Sequence, residues 1–234
     1  MRMKPNSTDL GPWPQALNAG RVVSTLRGLH ETIDAPTPAI TLVERLPGAE
    51  DLLGGLEVSP GVFVPTRVSQ WFALTLAGEL GNRRVLEIGV GCGIVGKAVA
   101  PLTSIYVGTD ISISAVVCAA ANLSHIPTAH VLAANLSTAC RMDFTDVIFN
   151  PPFFCGVCAD LLDSAWYYGE TPEIFEELGL LLRESPASLH ILFSSHDHAP
   201  FETLTSTIGR EGVPVATLTI GCETVTYYRY DWRT

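Results

Sequence analysis

Glu87-Ile88-Gly89-Val90-Gly91-Cys92-Gly93-Ile94-Val95-Gly96 begins in a run, Arg84 to Ile88, that reads as a strand and leads into a run, Val95 to Ala100, that reads as a helix. Glycines at alternate positions allow a tight strand-to-helix turn and let a ligand press against bare backbone, while a following helix offers its N-terminal amides. A flat or anionic ligand suits such a turn. Asp110 ends the next predicted strand, where a carboxylate can accept both hydroxyls of a ribose. Gly91-Cys92-Gly93-Ile94-Val95-Gly96 also satisfies the dinucleotide pattern, with an acid about 20 residues further on, so spacing alone leaves the cofactor open.

From this turn the pattern alternates strand and helix. Ser104 to Thr109 reads as a strand, Ala115 to Leu123 as a helix, Ala129 to Ala133 and Asp146 to Phe149 as strands, Pro172 to Leu182 as a helix and Leu189 to Ser194 as a strand. Repeated βα units predict a mainly parallel sheet covered on both faces. Val213 to Ile220 and Thr224 to Tyr230 face each other across Gly221-Cys222-Glu223 and read as a closing antiparallel hairpin. The expected fold is a doubly wound, mostly parallel, seven-stranded α/β sheet.

Upstream, residues 1 to about 36 read as a polar leader and an amphipathic helix carrying Leu17, Val22, Val23, Leu26 and Leu29. Ala39 to Leu46 and Leu56 to Val64 read as a β-hairpin, and Thr66 opens a helix through Trp71, Leu74, Leu76 and Leu80 that stops at Gly81. The expected division is an N-terminal extension, residues 1–50, and a main domain, residues 51–234.

The 234 residues carry a net charge of −10, which opposes the approach of a polyphosphate and makes nucleic acid an unfavoured partner. Six cysteines scattered through apolar runs, in a chain opening Met-Arg-Met-Lys-Pro-Asn-Ser, suit a reducing cytoplasm. Ile111 to Cys140 contains no Asp, Glu, Lys or Arg, but Asn122, Ser124, His125, Pro127, His130 and Asn135 break it, so no membrane span is expected. Nothing in the sequence sets the oligomeric state.

A second motif stands at the end of the fourth parallel strand: Asn150-Pro151-Pro152-Phe153-Phe154. Consecutive prolines stiffen the backbone and donate no hydrogen bond, which leaves the neighbouring carbonyls as outward acceptors. Asn150 adds an amide oxygen and Phe153 a flat face. Together they make a clamp for a planar amino group, with acceptors for its hydrogens and a ring for its π system.

An acid two residues before alternate glycines, Glu87-x-Gly89-x-Gly91-x-Gly93, resembles the first motif of class I S-adenosylmethionine methyltransferases. Asn150 to Phe153 resembles the Asn-Pro-Pro-aromatic motif of the amino-methyltransferases, and within these the chain looks most like the HemK-like glutamine amide methyltransferases of release factors. Val58 to Pro65 is similar to the hairpin that leads into the cofactor site there and in the related small-domain RNA methyltransferases. The resemblance implies that Glu87, Gly89, Val90, Gly91 and Gly93 wrap the methionine part of S-adenosylmethionine. It further implies that Asp110, with Ile111 next to it, holds the ribose and that Asn135 and Leu136 lie beside the adenine. Asn150, Pro151, Pro152 and Phe153 would hold the target nitrogen. The chain departs from the family at Pro65-Thr66-Arg67-Val68-Ser69-Gln70, where a second proline and two acids are usual, and in its shorter N-terminal region.

Between Arg141 and Arg183 there is no Lys or Arg, while Asp143, Asp146, Asp160, Asp163, Glu170, Glu173, Glu176 and Glu177 all occur. Asp160, Asp163 and Glu170 lie among Trp166, Tyr167 and Tyr168 in the segment that should cover the substrate. An aromatic and acidic wall suits a neutral or cationic amine or a basic peptide. Phe154, Trp166, Tyr167 and Tyr168 are therefore the candidate substrate contacts, and a small-molecule amine or amide or a protein glutamine the candidate acceptors. Cys155-Gly156-Val157-Cys158 has metal-like spacing without a second pair, so no metal is expected. His196-Asp197-His198 follows the fifth strand at the carboxyl edge of the sheet, where an imidazole can lie near a substrate, and reads otherwise as a solvated loop.

Overall fold

The computed structural model describes residues 54–136, 143–183 and 187–231. The helix expected within residues 1–36, the run Ala39 to Leu46 and the whole of the expected extension, residues 1–50, lie outside the described residues.

In chain order the elements are α1 (Arg67–Ala77), β1 (Arg84–Ile88), α2 (Ile94–Val99), β2 (Ile105–Asp110), α3 (Ile113–Leu123), β3 (Ala129–Ala133) and β4 (Asp146–Phe149). Then follow α4 (Glu173–Arg183), β5 (Ser188–Ser194), α5 (Ala199–Ile208), β6 (Val213–Ile220) and β7 (Glu223–Tyr230). The strands form one seven-stranded sheet in the order β3-β2-β1-β4-β5-β7-β6. Strands β1 to β5 run parallel, and β7 and β6 close the sheet antiparallel. This is the doubly wound class expected from the alternation of runs.

The side-chain period of two sends alternate residues of the central strands to opposite faces. Val85, Tyr106, Ile148, Leu192 and Val225 join one core with Phe72 and Leu76 of α1, Val95 of α2 and Leu123 of α3. Leu86, Val107, Val147, Phe149, Leu189 and Ile191 join the other with Phe175 and Leu178 of α4 and Leu204 of α5. Apolar burial on both faces is why these strands read as near-continuous hydrophobic runs. A buried polar network crosses the edge of the sheet opposite the glycine turn. His190 Nε2 meets Asp146 Oδ1 at 3.1 Å, its Nδ1 meets the Tyr227 hydroxyl at 2.6 Å, and that hydroxyl donates to Glu79 at 3.0 Å. Burial raises the Asp146 carboxyl, but hydrogen bonds from His190 and Thr145 outweigh it and hold the group below the usual carboxylate range.

The structure corrects the sequence reading in two places and adds one element to it. Residues 56–64 form no strand; the chain is extended and turns where the Val62 amide donates to the Ser59 carbonyl at 3.1 Å. Leu56, Val58, Val62 and Val64 are buried as an alternating pattern demands, but the backbone of Glu57 exchanges hydrogen bonds with the Asn122 side chain instead of with a second strand. The first helix ends at Ala77, short of Gly81. Residues 199–208, which the alternation of runs does not assign, form α5: the Asp197 carboxylate takes the Ala199 amide, Pro200 stands in the first turn, and Gly209 ends the helix at φ 72.

Candidate active site

The glycine turn joins β1 to α2 at the carboxyl edge of the sheet. Gly89, Gly91 and Gly93 all lie at positive φ (71, 54 and 87), a region closed to most side chains. A Cβ on Gly91 would meet nothing within 4 Å, whereas one on Gly93 would press on the Ala119 backbone of α3 at 3.3 Å. The first glycine leaves the turn open toward a ligand; the second lets helix and turn pack.

Asp110, at the end of β2, fastens this turn. Its Oδ2 accepts the Gly91 amide and its Oδ1 the Ser112 amide, each at 2.9 Å. Every carboxylate oxygen keeps a further lone pair, so both remain available to hydroxyl donors. Ile111 beside it is an apolar side chain 55% exposed, a surface suited to a flat ring. Thr109 is fully buried and its hydroxyl is within reach of the carbonyls of Glu87 and Leu136, tying the ends of β1 and β2 to the segment after β3. Leu136 is buried at positive φ (50), and Asn135 before it is exposed at the same edge.

Glu87 sits differently from the position that the resemblance implies. It is 2% exposed, on the sheet face covered by α2, and its carboxyl accepts the Tyr106 hydroxyl and the Gly96 amide. Burial pushes this carboxyl up to about 8, so it is protonated at neutral pH. Its place is beneath the turn, as support for the backbone above.

Strands β1 and β4 are adjacent and parallel, with Ile88 opposite Phe149. The next residues, Gly89 and Asn150, therefore leave the sheet side by side, and a Cβ on Gly89 would lie 3.8 Å from the Phe149 ring. Asn150, Pro152 and Phe153 are half-buried and Pro151 is buried. The glycine turn and the Asn-Pro-Pro-Phe segment thus share one crevice at the carboxyl ends of the strands.

The segment after Asn150-Pro151-Pro152-Phe153 folds back on itself as a cap. The Phe154 amide donates to the Trp166 carbonyl at 3.1 Å, the Tyr168 amide to the Phe154 carbonyl at 3.0 Å, and the Gly156 amide to the Gly169 carbonyl at 2.9 Å. Two of the acids expected to face a substrate shape this loop. Asp163 is buried and accepts the Ala159 amide, and Asp160 accepts the amides of Leu162 and Asp163. Trp166 is buried edge-on against Phe63, with ring centroids 4.8 Å apart, so it is committed to packing the cap. Tyr167 and Tyr168 are half-buried, Phe154 is buried, and Phe153 packs against this aromatic cluster. Cys155 and Cys158 are exposed, and each thiol donates to a cap carbonyl, of Glu170 and Tyr167 respectively. Among the described residues there is no group of three His, Cys, Asp or Glu arranged to hold a metal ion.

The loop after β5, singled out in the sequence for its two histidines, lies against the cap. The His196 ring lies 6.4 Å from that of Phe154, and the Tyr168 hydroxyl donates to Asp197. Asp197 two residues ahead of Ala199-Pro200 was a legible helix-start signal; its bond to Tyr168 was not.

Residues 55–164 match the model of the family described as the methyltransferase small domain. No curated protein matches the chain. The ribosomal protein L11 methylase of Lactobacillus delbrueckii subsp. bulgaricus is similar at 16% identity and a TM-score of 0.54, over 75% of this chain and 85% of that chain. A T. Thermophilus 16S rRNA methyltransferase, solved with AdoMet and guanosine, is similar at 19% identity and a TM-score of 0.54, over 74% of this chain and 46% of that chain. The E. cuniculi Mtq2-Trm112 complex, responsible for methylation of the eRF1 translation termination factor, is similar at 17% identity and a TM-score of 0.53, over 72% of this chain and 97% of that chain.

The seven-stranded sheet with its antiparallel closing strands is the class I methyltransferase fold. The small-domain match covers residues 55–164 of a chain with this fold, and S-adenosylmethionine is the cofactor of class I methyltransferases. The open turn at Gly91, the two free carboxylate faces of Asp110 and the exposed Ile111 fit that molecule.

Proposed function

We propose that the chain is an N-methyltransferase acting on an amide or amine nitrogen, either a glutamine side chain in a protein or a small molecule. The observation that carries this reading is the register of β1 against β4, which sets Asn150 beside Gly89 and so brings an amino-group clamp to the rim of the cofactor turn. Gly89 to Gly93 receive the methionine part, Asp110 the ribose and Ile111, Asn135 and Leu136 the adenine; Glu87 supports the turn from below. No helix among the described residues is long and apolar enough to cross a membrane, and the reading calls for no metal.

S-adenosylmethionine supplies a methyl group already activated on a sulfonium. The protein therefore has chiefly to hold a nitrogen lone pair in line at near-attack distance and to stabilise the charge that develops on it. The Asn150 side-chain oxygen and the carbonyl of Pro151 or Pro152 accept the two N–H bonds, which aims the remaining lone pair into the crevice. The Phe153 face stabilises positive charge on the nitrogen as the new N–C bond forms. As the N–C bond forms the S–CH3 bond breaks and its electron pair stays on sulfur, which leaves as S-adenosylhomocysteine; the nitrogen releases one proton to water, and no covalent intermediate with the enzyme is needed.

A second reading, a base amino group in nucleic acid, is favoured by the small-domain match and by the same clamp. The absence of Lys and Arg from residues 142–182 opposes it, because a phosphate backbone crossing this interval would meet carboxylates. Incubation with methyl-labelled S-adenosylmethionine and fractionated cell extract separates the readings. Label is expected in a protein band or a low-mass fraction. Label in a nuclease-sensitive fraction at physiological salt contradicts the assignment.

A further inference from the structure

The cap is fastened by a polar contact to the neighbouring loop of the sheet edge. The Tyr168 hydroxyl donates to Asp197 Oδ2, and Oδ1 of the same carboxylate accepts the Ala199 amide at 3.0 Å. The loop that carries Asp197 is itself held at its other end. The Ser194 hydroxyl accepts the His196 amide at 3.1 Å and donates to Glu223 at 2.7 Å, while the Ser195 amide donates to the Thr224 carbonyl at 2.9 Å. Asp197 is thus a fixed point, braced by α5 on one side and by the start of β7 on the other.

We propose that Asp197 is a positioning residue for the methyl acceptor, which acts through Tyr168 to hold the cap, and with it Phe153, in the geometry of the clamp. This rests on the reading of Asn150 to Phe153 as the acceptor clamp. The path of the constraint is short. The Tyr168 ring stands edge-on to the buried Phe175 at 5.6 Å, so the core fixes its direction and the carboxylate fixes its tip. The Tyr168 amide donates to the Phe154 carbonyl, so Tyr168 sets the place of Phe154, the residue after the clamp. Phe153 packs against the cluster of Phe154, Trp166 and Tyr167. A shift of the cap therefore moves the ring that supports the target nitrogen, while Gly91, in the turn after β1, and Asp110, at the end of β2, stay where they are.

The test compares wild type with Tyr168→Phe, Asp197→Ala and the double variant. S-adenosylhomocysteine is the cofactor-site probe, and the extract fraction that takes label from S-adenosylmethionine is the acceptor. Tyr168→Phe removes only the hydroxyl and leaves α5 intact, so it reads the tie even if Asp197→Ala misfolds. In each single variant the Phe154 and Tyr168 amides should exchange hydrogen ~10-fold faster and the acceptor KM should rise ~10-fold, the effect of a lost hydrogen bond to a charged group. S-adenosylhomocysteine affinity should stay within ~2-fold, and the double variant should be no worse than the worse single, because both remove the same interaction. Unchanged exchange and KM in Tyr168→Phe, or an equal loss of S-adenosylhomocysteine affinity, overturns the proposal. Failure of wild type to transfer label at all overturns instead the functional reading on which it rests.

Discussion

Asp110 accepts the Gly91 amide at 2.9 Å, so the carboxylate proposed to hold the ribose also closes the glycine turn that faces the methionine part. The cofactor site is therefore one mechanical unit built from the ends of β1 and β2. Asp110→Ala removes two hydrogen-bond acceptors from the ribose and unties Gly91 at once. It should weaken S-adenosylhomocysteine binding by ~1.5–3 kcal/mol, the range for hydrogen bonds to a charged group. Calorimetry checks this, and an affinity within ~2-fold of wild type contradicts the ribose assignment.

Glu87 makes stability depend on pH in the direction opposite to a salt-bridged acid. Its carboxyl titrates at about 8 in the folded chain, against 4.5 as an ordinary glutamate. Between these values the folded state holds a proton that the unfolded state has released, so stability falls as pH rises through this window and levels off above it. Glu87→Gln keeps an oxygen acceptor and cannot ionise. Urea unfolding at pH 5.5 and 8.5 should show a smaller loss of stability in Glu87→Gln than in wild type; identical losses contradict a buried, protonated Glu87.

Gly96 in α2 is required by the same Tyr106 that holds Glu87. A methyl group there would lie 2.6 Å from the Tyr106 hydroxyl oxygen and 2.9 Å from Leu123 Cδ1, and Tyr106 is fully buried with no room to withdraw. Overpacking of this kind costs ~1–3 kcal/mol. Gly96→Ala should therefore lower Tm by several degrees even though alanine is the better helix former, and a raised Tm in a thermal melt contradicts the packing described.

What was legible in the sequence follows from how local each signal is. β3 and β4 were read to the residue, because apolar runs bounded by turns need no distant partner to be recognised. The fold class followed from the order of such runs. The clamp and the glycine turn were readable as motifs, and their meeting in one crevice follows from β1 lying next to β4. The strand expected at Leu56 to Val64 failed because its apolar alternation is satisfied by burial while its backbone pairs with Asn122, 65 residues away. The contacts of Glu87 and Asp197 were not legible for a related reason. Their partners Tyr106 and Tyr168 lie 19 and 29 residues away, on other elements, and no local pattern names them. The acids of the cap looked like a substrate wall in composition, yet Asp160 and Asp163 are held by amides a few residues off, a loop geometry that composition does not carry.

The central claim is that Asn150 orients the target nitrogen for transfer at the rim of the cofactor turn. It is tested most directly by measuring methyl transfer from S-adenosylmethionine to the labelled extract fraction, by wild type and Asn150→Ala, at equal cofactor occupancy. Loss of orientation should lower turnover ~100-fold, with S-adenosylhomocysteine affinity within ~3-fold of wild type. Turnover equal to wild type in Asn150→Ala would contradict the account.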